Sequence, residues 1–169
     1  MSRMAELDRF KEAQASPGAG FDAALREIRA GRKTGHWIWY VLPQLSGLGT
    51  SMMSRTFALR DVEEAADFLR DSELGARLVR IVAAIAEQLD ARPELELSSL
   101  LGSEIDAVKL VSSLTLFERV AARLDAAERL ERARDLANAA RRVLKAAAAE
   151  GYPPCAFTLT RLSEGRRSE

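Results

Sequence analysis

The residue types best suited to chemistry are concentrated in one segment of about a dozen positions. This segment contains the single histidine of the chain, His36, and both of its tryptophans, Trp37 and Trp39. Imidazole is the side chain that most readily takes up and releases protons near neutral pH. We therefore predict that His36 acts as a catalytic acid or base.

Five neighbouring side chains are suited to holding the molecule on which such a catalyst would act. Trp37, Trp39 and Tyr40 each combine a large apolar ring with a hydrogen-bonding group, which suits the stacking of a planar ligand. The charge of Lys33 suits an anionic group, and the Gln44 amide both donates and accepts hydrogen bonds. The segment thus predicts an aromatic pocket for a polar or anionic small molecule.

A second segment brings an ammonium group and two hydroxyls together. If residues 105–122 form a helix, Lys109, Ser112 and Ser113 follow the i, i+3, i+4 spacing and share a face. Such a face can bind an anion through the lysine and the hydroxyls of a sugar through the serines. We predict that it faces the His36 segment and forms a polar wall of the pocket.

Each segment also has a purely structural interpretation. The aromatic segment has two apolar-rich sides, so it can form a core helix in which His36 bonds to a backbone carbonyl. Ser112 and Ser113 can bond to the carbonyls four residues earlier, as hydroxyls inside helices do. The chain is then a protein-interaction or structural module without catalysis, and the sequence leaves open whether it is an enzyme.

Composition narrows the class of protein without indicating a reaction. The 169 residues include 25 basic and 25 acidic side chains, and 47% of the residues are hydrophobic. Zero net charge argues against a general nucleic-acid binder, and no apolar stretch is long enough to span a membrane. One cysteine and one histidine cannot supply a His/Cys zinc site, whereas a carboxylate metal site remains possible. The prediction names no metal and no cofactor. We expect a soluble, cytoplasmic protein, and the oligomeric state is left undetermined.

Apolar periodicity predicts an all-α fold, with a single compact domain of about seven helices over residues 1–169. Asp61 and Glu64 have the spacing of a capping pair, and Gly31 suits a left-handed helix end. Pairs such as Glu128 and Arg132 are typical of a half-exposed helix. Helices are expected near residues 5–15, 21–30, 73–89, 105–122 and 125–149 and after Asp61, with short segments near 36–42, 52–59 and 158–162.

Residues 36–42 are ambiguous, because their pattern fits either a strand or a helix. Alternation would put Trp37, Trp39 and Val41 on one face of a strand. No second strong strand is available to pair with it, and an unpaired strand is not stable. We therefore favour a short helix that ends before Pro43.

Three strings of residues, taken together, are highly specific. They resemble the uncharacterised family called domain of unknown function 1810, over about residues 6–162, with 163–169 as a polar tail. The resemblance implies a mainly α-helical single domain and no established activity. The strings are Asp8-Arg9-Phe10 with Ala13-Gln14; Gly31, Lys33, His36-Trp37-Ile38-Trp39-Tyr40, Pro43-Gln44 and Gly47-Leu48-Gly49; and Asp106, Lys109-Leu110-Val111-Ser112-Ser113, Thr115 and Phe117.

Overall fold

The structure, a computed structural model, describes residues 3–166, with side chains from residue 5 onward. This part of the chain forms helices and no extended strand, so the all-α prediction is confirmed. Its one strand-like contact is a parallel bridge between Leu45 and Leu59. The helices are α1 (Arg3–Gln14), α2 (Phe21–Arg29), α3 (Ile38–Val41), α4 (Met52–Thr56), α5 (Val62–Arg70), α6 (Ser72–Ala91), α7 (Leu97–Leu101), α8 (Glu104–Glu128), α9 (Glu131–Ala149) and α10 (Ala156–Gly165).

Several helix ends follow directly from local sequence. The Asp61 carboxylate accepts a hydrogen bond from the Glu64 backbone N–H at 2.8 Å, and the Glu64 carboxylate accepts one from the Arg60 N–H at 2.6 Å. The predicted capping pair is therefore confirmed. Gly31 follows α2 with a left-handed backbone, φ 91°, as predicted. The ambiguous segment is helical, and α3 ends at Val41 before Pro43.

The prediction of about seven helices was wrong, because ten helices lie within residues 3–166. Three of them, α3, α4 and α7, have only four or five residues. Helices this short are not stable alone and depend on tertiary packing. The sequence pattern predicts short segments at α3 and α4 but none at α7. The single turn expected near residues 158–162 is the ten-residue α10, which buries Thr158 and Leu162.

The boundary between α8 and α9 also differs from the prediction. The pattern indicates a break near residues 122–125, but α8 continues to Glu128 and the chain turns at Arg129, whose backbone is left-handed (φ 52°). Good helix formers without Gly or Pro fill the interval, so nothing local ends the helix there. Glu128 consequently contacts Arg70 of α5 at 2.6 Å rather than the expected Arg132.

The central element is α8, which packs against α3, α5, α7, α9 and α10. Eight consecutive residues, 110–117, are buried, so this stretch of α8 is enclosed on all sides rather than along one stripe. The first two helices pack mainly on other elements than α8. α1 packs on α3, α5 and α6, and α2 packs on α6. The segments singled out in the sequence meet where α3 contacts α8.

A close approach of three helices occurs at Gly75, near the start of α6. A β-carbon there would overlap the Leu69 carbonyl oxygen and lie 2.9 Å from Cδ of Arg132 on α9. The Arg132 guanidinium itself donates to the Arg70 carbonyl at 2.8 Å, which fixes its position. The packing of α5, α6 and α9 therefore leaves no room for a side chain at residue 75.

We predict that Gly75→Ala lowers the free energy of unfolding by about 3 kcal/mol, at the upper end of overpacking effects, because the clash is with backbone. The measurement is chemical denaturation followed by circular dichroism. Gly165→Ala is the matched control, since nothing lies within 4 Å of its added β-carbon. Equal stabilities of the two variants would contradict the packing described for α6.

Candidate functional site

The loop before α3 is organised around a single carboxylate, Glu27 of α2. Its Oε2 accepts hydrogen bonds from the backbone N–H groups of Thr34 and Gly35, both at 2.9 Å. It also accepts one from Trp37 Nε1 at 2.8 Å. Partial burial raises the pKa of Glu27, but the three N–H donors together with the Thr34 side chain outweigh that effect and leave the pKa below its ordinary value. Glu27 therefore holds the loop and the Trp37 ring as an ionised acceptor.

Lys33 projects from the same loop into the protein, where its side chain is only 5% exposed. Its ammonium donates to the Gly35 carbonyl and lies 2.6 Å from Asp106 Oδ2 on α8. The Lys33 Nζ is also 5.2 Å from the centre of the Trp37 ring. A buried ammonium requires such partners, so this ion pair ties the loop to the first turn of α8.

Lys109 lies one turn further along α8 and reaches α3. Its Nζ is 4.5 Å from the centre of the Trp39 ring, and it shares Asp106 with Lys33 through a longer contact of 3.5 Å to Oδ1. The arrangement is a cation–π contact next to an ion pair. The predicted meeting of the two segments therefore occurs at Trp39 and Lys109.

A small cleft opens beside this contact, and we call it the Trp39 cleft. Its enclosed volume is about 10 Å³, roughly the space that one water molecule needs. The Trp39 Nε1–H is buried and has no hydrogen-bond acceptor among the described residues. The polar lining is Gln44, Ser54 and Lys109, and the rings of Trp39 and Phe57 form part of the wall.

The other aromatic residues of the segment lie in the core. Trp37 is 0% exposed and Tyr40 is 6% exposed. The Tyr40 hydroxyl donates to the Ala19 carbonyl at 2.5 Å, and its ring packs edge-on against Phe57 at 5.1 Å. Burial, and then the charge of Glu27, raise the pKa of Tyr40. Trp37 and Tyr40 therefore position α3, and neither lines the Trp39 cleft.

His36, unlike Trp37 and Tyr40, is exposed to solvent. Its side chain is exposed to solvent and makes no hydrogen bond or ion pair with any residue that the structure describes. It does not line the Trp39 cleft. Its position in the loop leaves the imidazole accessible from outside the protein.

The two serines of α8 are buried, whereas Lys109 is partly exposed. Ser112 donates to the Val108 carbonyl at 3.1 Å, as expected of a hydroxyl bonding one turn back. Ser113 is 0% exposed, and its hydroxyl has no partner among the described residues. Neither serine lines the Trp39 cleft, so the common face expected for Lys109, Ser112 and Ser113 is divided between surface and core.

Two carboxylates that organise this region, Glu27 and Asp106, are absent from the residues that the sequence singles out as a site. The signal available for Asp106 was its i, i+3 spacing to Lys109, which marks an ion pair on a helix. Glu27 had no such signal, because its partners are backbone groups and an indole on the following loop. Within residues 3–166, no group of three or more His, Cys, Asp or Glu residues is placed to hold a metal ion.

Comparison with known proteins matches this chain to one family and one structure of the same fold. The family model described as "Protein of unknown function (DUF1810)" matches residues 4–138. The crystal structure of the conserved hypothetical protein Rv1873 from Mycobacterium tuberculosis is similar, with a TM-score of 0.69 and 30% identity over 92% of this chain and 94% of that chain. No curated protein matches the chain.

No helix in the described part of this chain combines the length and apolarity that crossing a membrane requires.

We predict that Glu27→Gln lowers the free energy of unfolding by about 1–2 kcal/mol at pH 7, because a charged acceptor of three N–H bonds is lost at a partly exposed site. The pKa of Glu27 is below its ordinary 4.5 in the folded protein. Its contribution is therefore complete above pH 4.5 and declines as the pH falls through the lowered pKa. Denaturation curves between pH 7 and pH 3 measure the difference.

The matched control for this pH dependence is Glu87→Gln, an exposed glutamate on α6. We expect its stability difference from the wild type to be small across the same pH range. A Glu27→Gln deficit that does not shrink on acidification would contradict the role of an ionised carboxylate.

Proposed function

The chain belongs to the DUF1810 family of proteins of unknown function, and we propose that it binds a small molecule carrying an anionic group at the Trp39 cleft. The observation that carries the proposal is an imbalance of charge beside an unpaired donor. Two ammonium groups, Lys33 and Lys109, share the single carboxylate of Asp106. Next to them, the buried Trp39 Nε1–H has no acceptor among the described residues.

Each of these features favours an anionic oxygen in the cleft. A buried donor without an acceptor costs about 1–3 kcal/mol, and a ligand oxygen can recover that cost. Lys33 is the more deeply buried lysine and makes the shorter contact with Asp106, so Lys109 is the cation that can turn to a ligand. The Gln44 amide adds a further donor at the cleft wall.

Entry of a ligand requires the cleft to widen, because its present volume holds about one water molecule. The wall formed by α4 is the part best able to move. α4 is one turn long and buries none of its own residues, so little packing holds it in place. A carboxylate or phosphate group would enter beside Ser54, while a ring attached to it would lie against Phe57.

The remaining site residues stay predictions under this proposal. Lys33 supplies charge behind Lys109, while Trp37 and Tyr40 set the position of α3. Ser112 and Ser113 would reach a ligand only after a rearrangement of α8. A catalytic role for His36 requires the reacting group to extend out of the cleft, towards solvent.

We predict that sodium benzoate, an aromatic carboxylate, binds the wild type and quenches the fluorescence of Trp39. The neutral isostere benzamide should bind at least about tenfold more weakly, because it lacks the charge for Lys109. Lys109→Met and Trp39→Phe should each weaken benzoate binding by about tenfold, the loss of one charge-assisted or buried hydrogen bond. Titration calorimetry measures the affinities.

The control for charge is Lys145→Met, which removes an exposed lysine of α9 and should leave the affinity unchanged. Fluorescence adds a second readout, since the fully buried Trp37 is the tryptophan that remains in Trp39→Phe. The proposal fails if benzoate does not bind the wild type. It also fails if benzamide binds as tightly as benzoate and if Lys109→Met binds benzoate as tightly as the control Lys145→Met.

A second candidate function is self-association through the surface around this cleft. Met52, Ile105 and Val108 are the exposed large hydrophobic residues in the described part of the chain, at 83%, 69% and 52% exposure. Ile105 and Val108 lie one turn apart on α8, next to Lys109, and Met52 is at the start of α4. Adjacent exposed apolar residues such as Ile105 and Val108 are typical of contact surfaces.

Under this candidate function, we predict that the wild type dimerises in sedimentation experiments at high protein concentration. Ile105→Ser/Val108→Ser should then remain monomeric, because the apolar area that drives association is lost. Arg29→Ser is a surface control that should dimerise like the wild type. A monomeric wild type at every concentration would exclude this candidate function.

A further inference from the structure

A large concavity lies away from the Trp39 cleft, between α8 and α10. It has a volume of about 870 Å³, within the range of about 300–1,000 Å³ that is typical of small-molecule pockets. The residues before α5 close one end of it. It shares no lining residue with the Trp39 cleft. We call it the arginine groove, and the residues that matter for its chemistry are Arg119, Val120, Arg123, Arg161, Leu162 and Arg166.

Arginines form both long walls of this groove. Arg119 and Arg123 come from α8, and Arg161 and Arg166 come from α10 and its C-terminal cap. Arg60 lines the end near α5, so five arginines face three carboxylates, Asp61, Glu63 and Glu164. Arg60 is already paired with Glu6, a residue outside the groove lining, at 2.9 Å, so it adds no free positive charge to the groove.

The arginines differ in whether they already form an ion pair with a carboxylate. Arg123 contacts Glu63 at 2.7 Å, and Arg119 contacts Glu118 at 3.2 Å. Arg161 and Arg166 have no carboxylate partner among the described residues. Arg161 is instead held over the Phe157 ring, with Cζ 5.2 Å from the ring centre. A guanidinium that is positioned by a ring but not neutralised keeps its donors available for an anion.

The floor between these walls is apolar. Val120 is 1% exposed, Leu162 is 9% exposed and Leu45 is 4% exposed. Val62 and Ala122 extend the apolar lining. A bare inorganic anion would contact the arginines but not this floor, so the lining suits a molecule that combines an anionic group with an apolar body.

We propose that the arginine groove binds a small organic anion, with its carboxylate, sulfonate or phosphate group on Arg161 and Arg166 and its apolar body on Val120 and Leu162. Guanidinium groups bind such oxyanions through paired N–H donors and also stack on planar rings. This site is separate from the Trp39 cleft, with which it shares no lining residue. It adds a second binding site to the molecule rather than a further role for the first.

The test uses the fluorescent probe 8-anilinonaphthalene-1-sulfonate, which carries one sulfonate on an apolar ring system. We expect saturable binding with a stoichiometry of about one at the groove, since its volume suits one small organic molecule. Arg161→Gln/Arg166→Gln should weaken binding by about tenfold or more, because two charge-assisted contacts are lost. N-phenyl-1-naphthylamine, the analogue without the sulfonate, should bind at least about tenfold more weakly to the wild type.

The matched control is Arg29→Gln/Arg32→Gln, which removes the same charge from two exposed arginines outside the groove. It should bind the probe like the wild type, as should Lys109→Met, which separates this site from the Trp39 cleft. Inorganic phosphate should compete only weakly, because it cannot use the apolar floor. Circular dichroism confirms that each variant is folded before titration.

Three results would overturn the proposal. The first is equal binding by the two arginine double variants, which would mean that net charge rather than the groove attracts the probe. The second is equal binding of the neutral analogue, which would show that the arginines contribute nothing. The third is loss of binding in Lys109→Met alone, which would locate the probe in the Trp39 cleft.

Discussion

The ion pair between Lys33 and Asp106 is the contact on which the arrangement of this region depends. An ammonium group that is only 5% exposed is costly unless its charge and its donors are all satisfied. Asp106, the Gly35 carbonyl and the face of Trp37 satisfy them together. The loop before α3 therefore has one position relative to α8, and that position brings the Trp39 ring to Lys109.

A second carboxylate, Glu27 of α2, holds the same loop from its other side by accepting hydrogen bonds. Glu27 receives the N–H groups of Thr34, Gly35 and Trp37, while Lys33 faces away towards α8. Gly102 completes the contact, because a β-carbon there would lie 2.7 Å from the Lys33 carbonyl oxygen. Elements distant in sequence, α2 and the α7–α8 junction, thus fix a short aromatic helix that has too few residues to be stable alone.

The Trp39 cleft and the arginine groove have different physical characters. The Trp39 cleft is very small, and an unpaired donor and a shared carboxylate distinguish it. The arginine groove is open and large, with charged walls and an apolar floor. Both adjoin α8, whose buried stretch of residues 110–117 provides a rigid support for side chains that project from its two ends. Lys109 projects near the first end of this stretch, and Arg119 and Arg123 project beyond the second.

Local physical chemistry determined much of this structure from the sequence alone. Apolar periodicity, the capping carboxylate of Asp61 and the left-handed Gly31 specify the long helices and the all-α class, because those signals act within a few residues. The same local reasoning brought His36, Trp39 and Lys109 to attention. Only the tertiary structure decided that His36 is exposed, that Trp37 is buried and that Ser113 lies in the core. Burial and ion pairing depend on groups far apart along the chain, such as Lys33 with Asp106 and Glu128 with Arg70, and no spacing rule connects those residues.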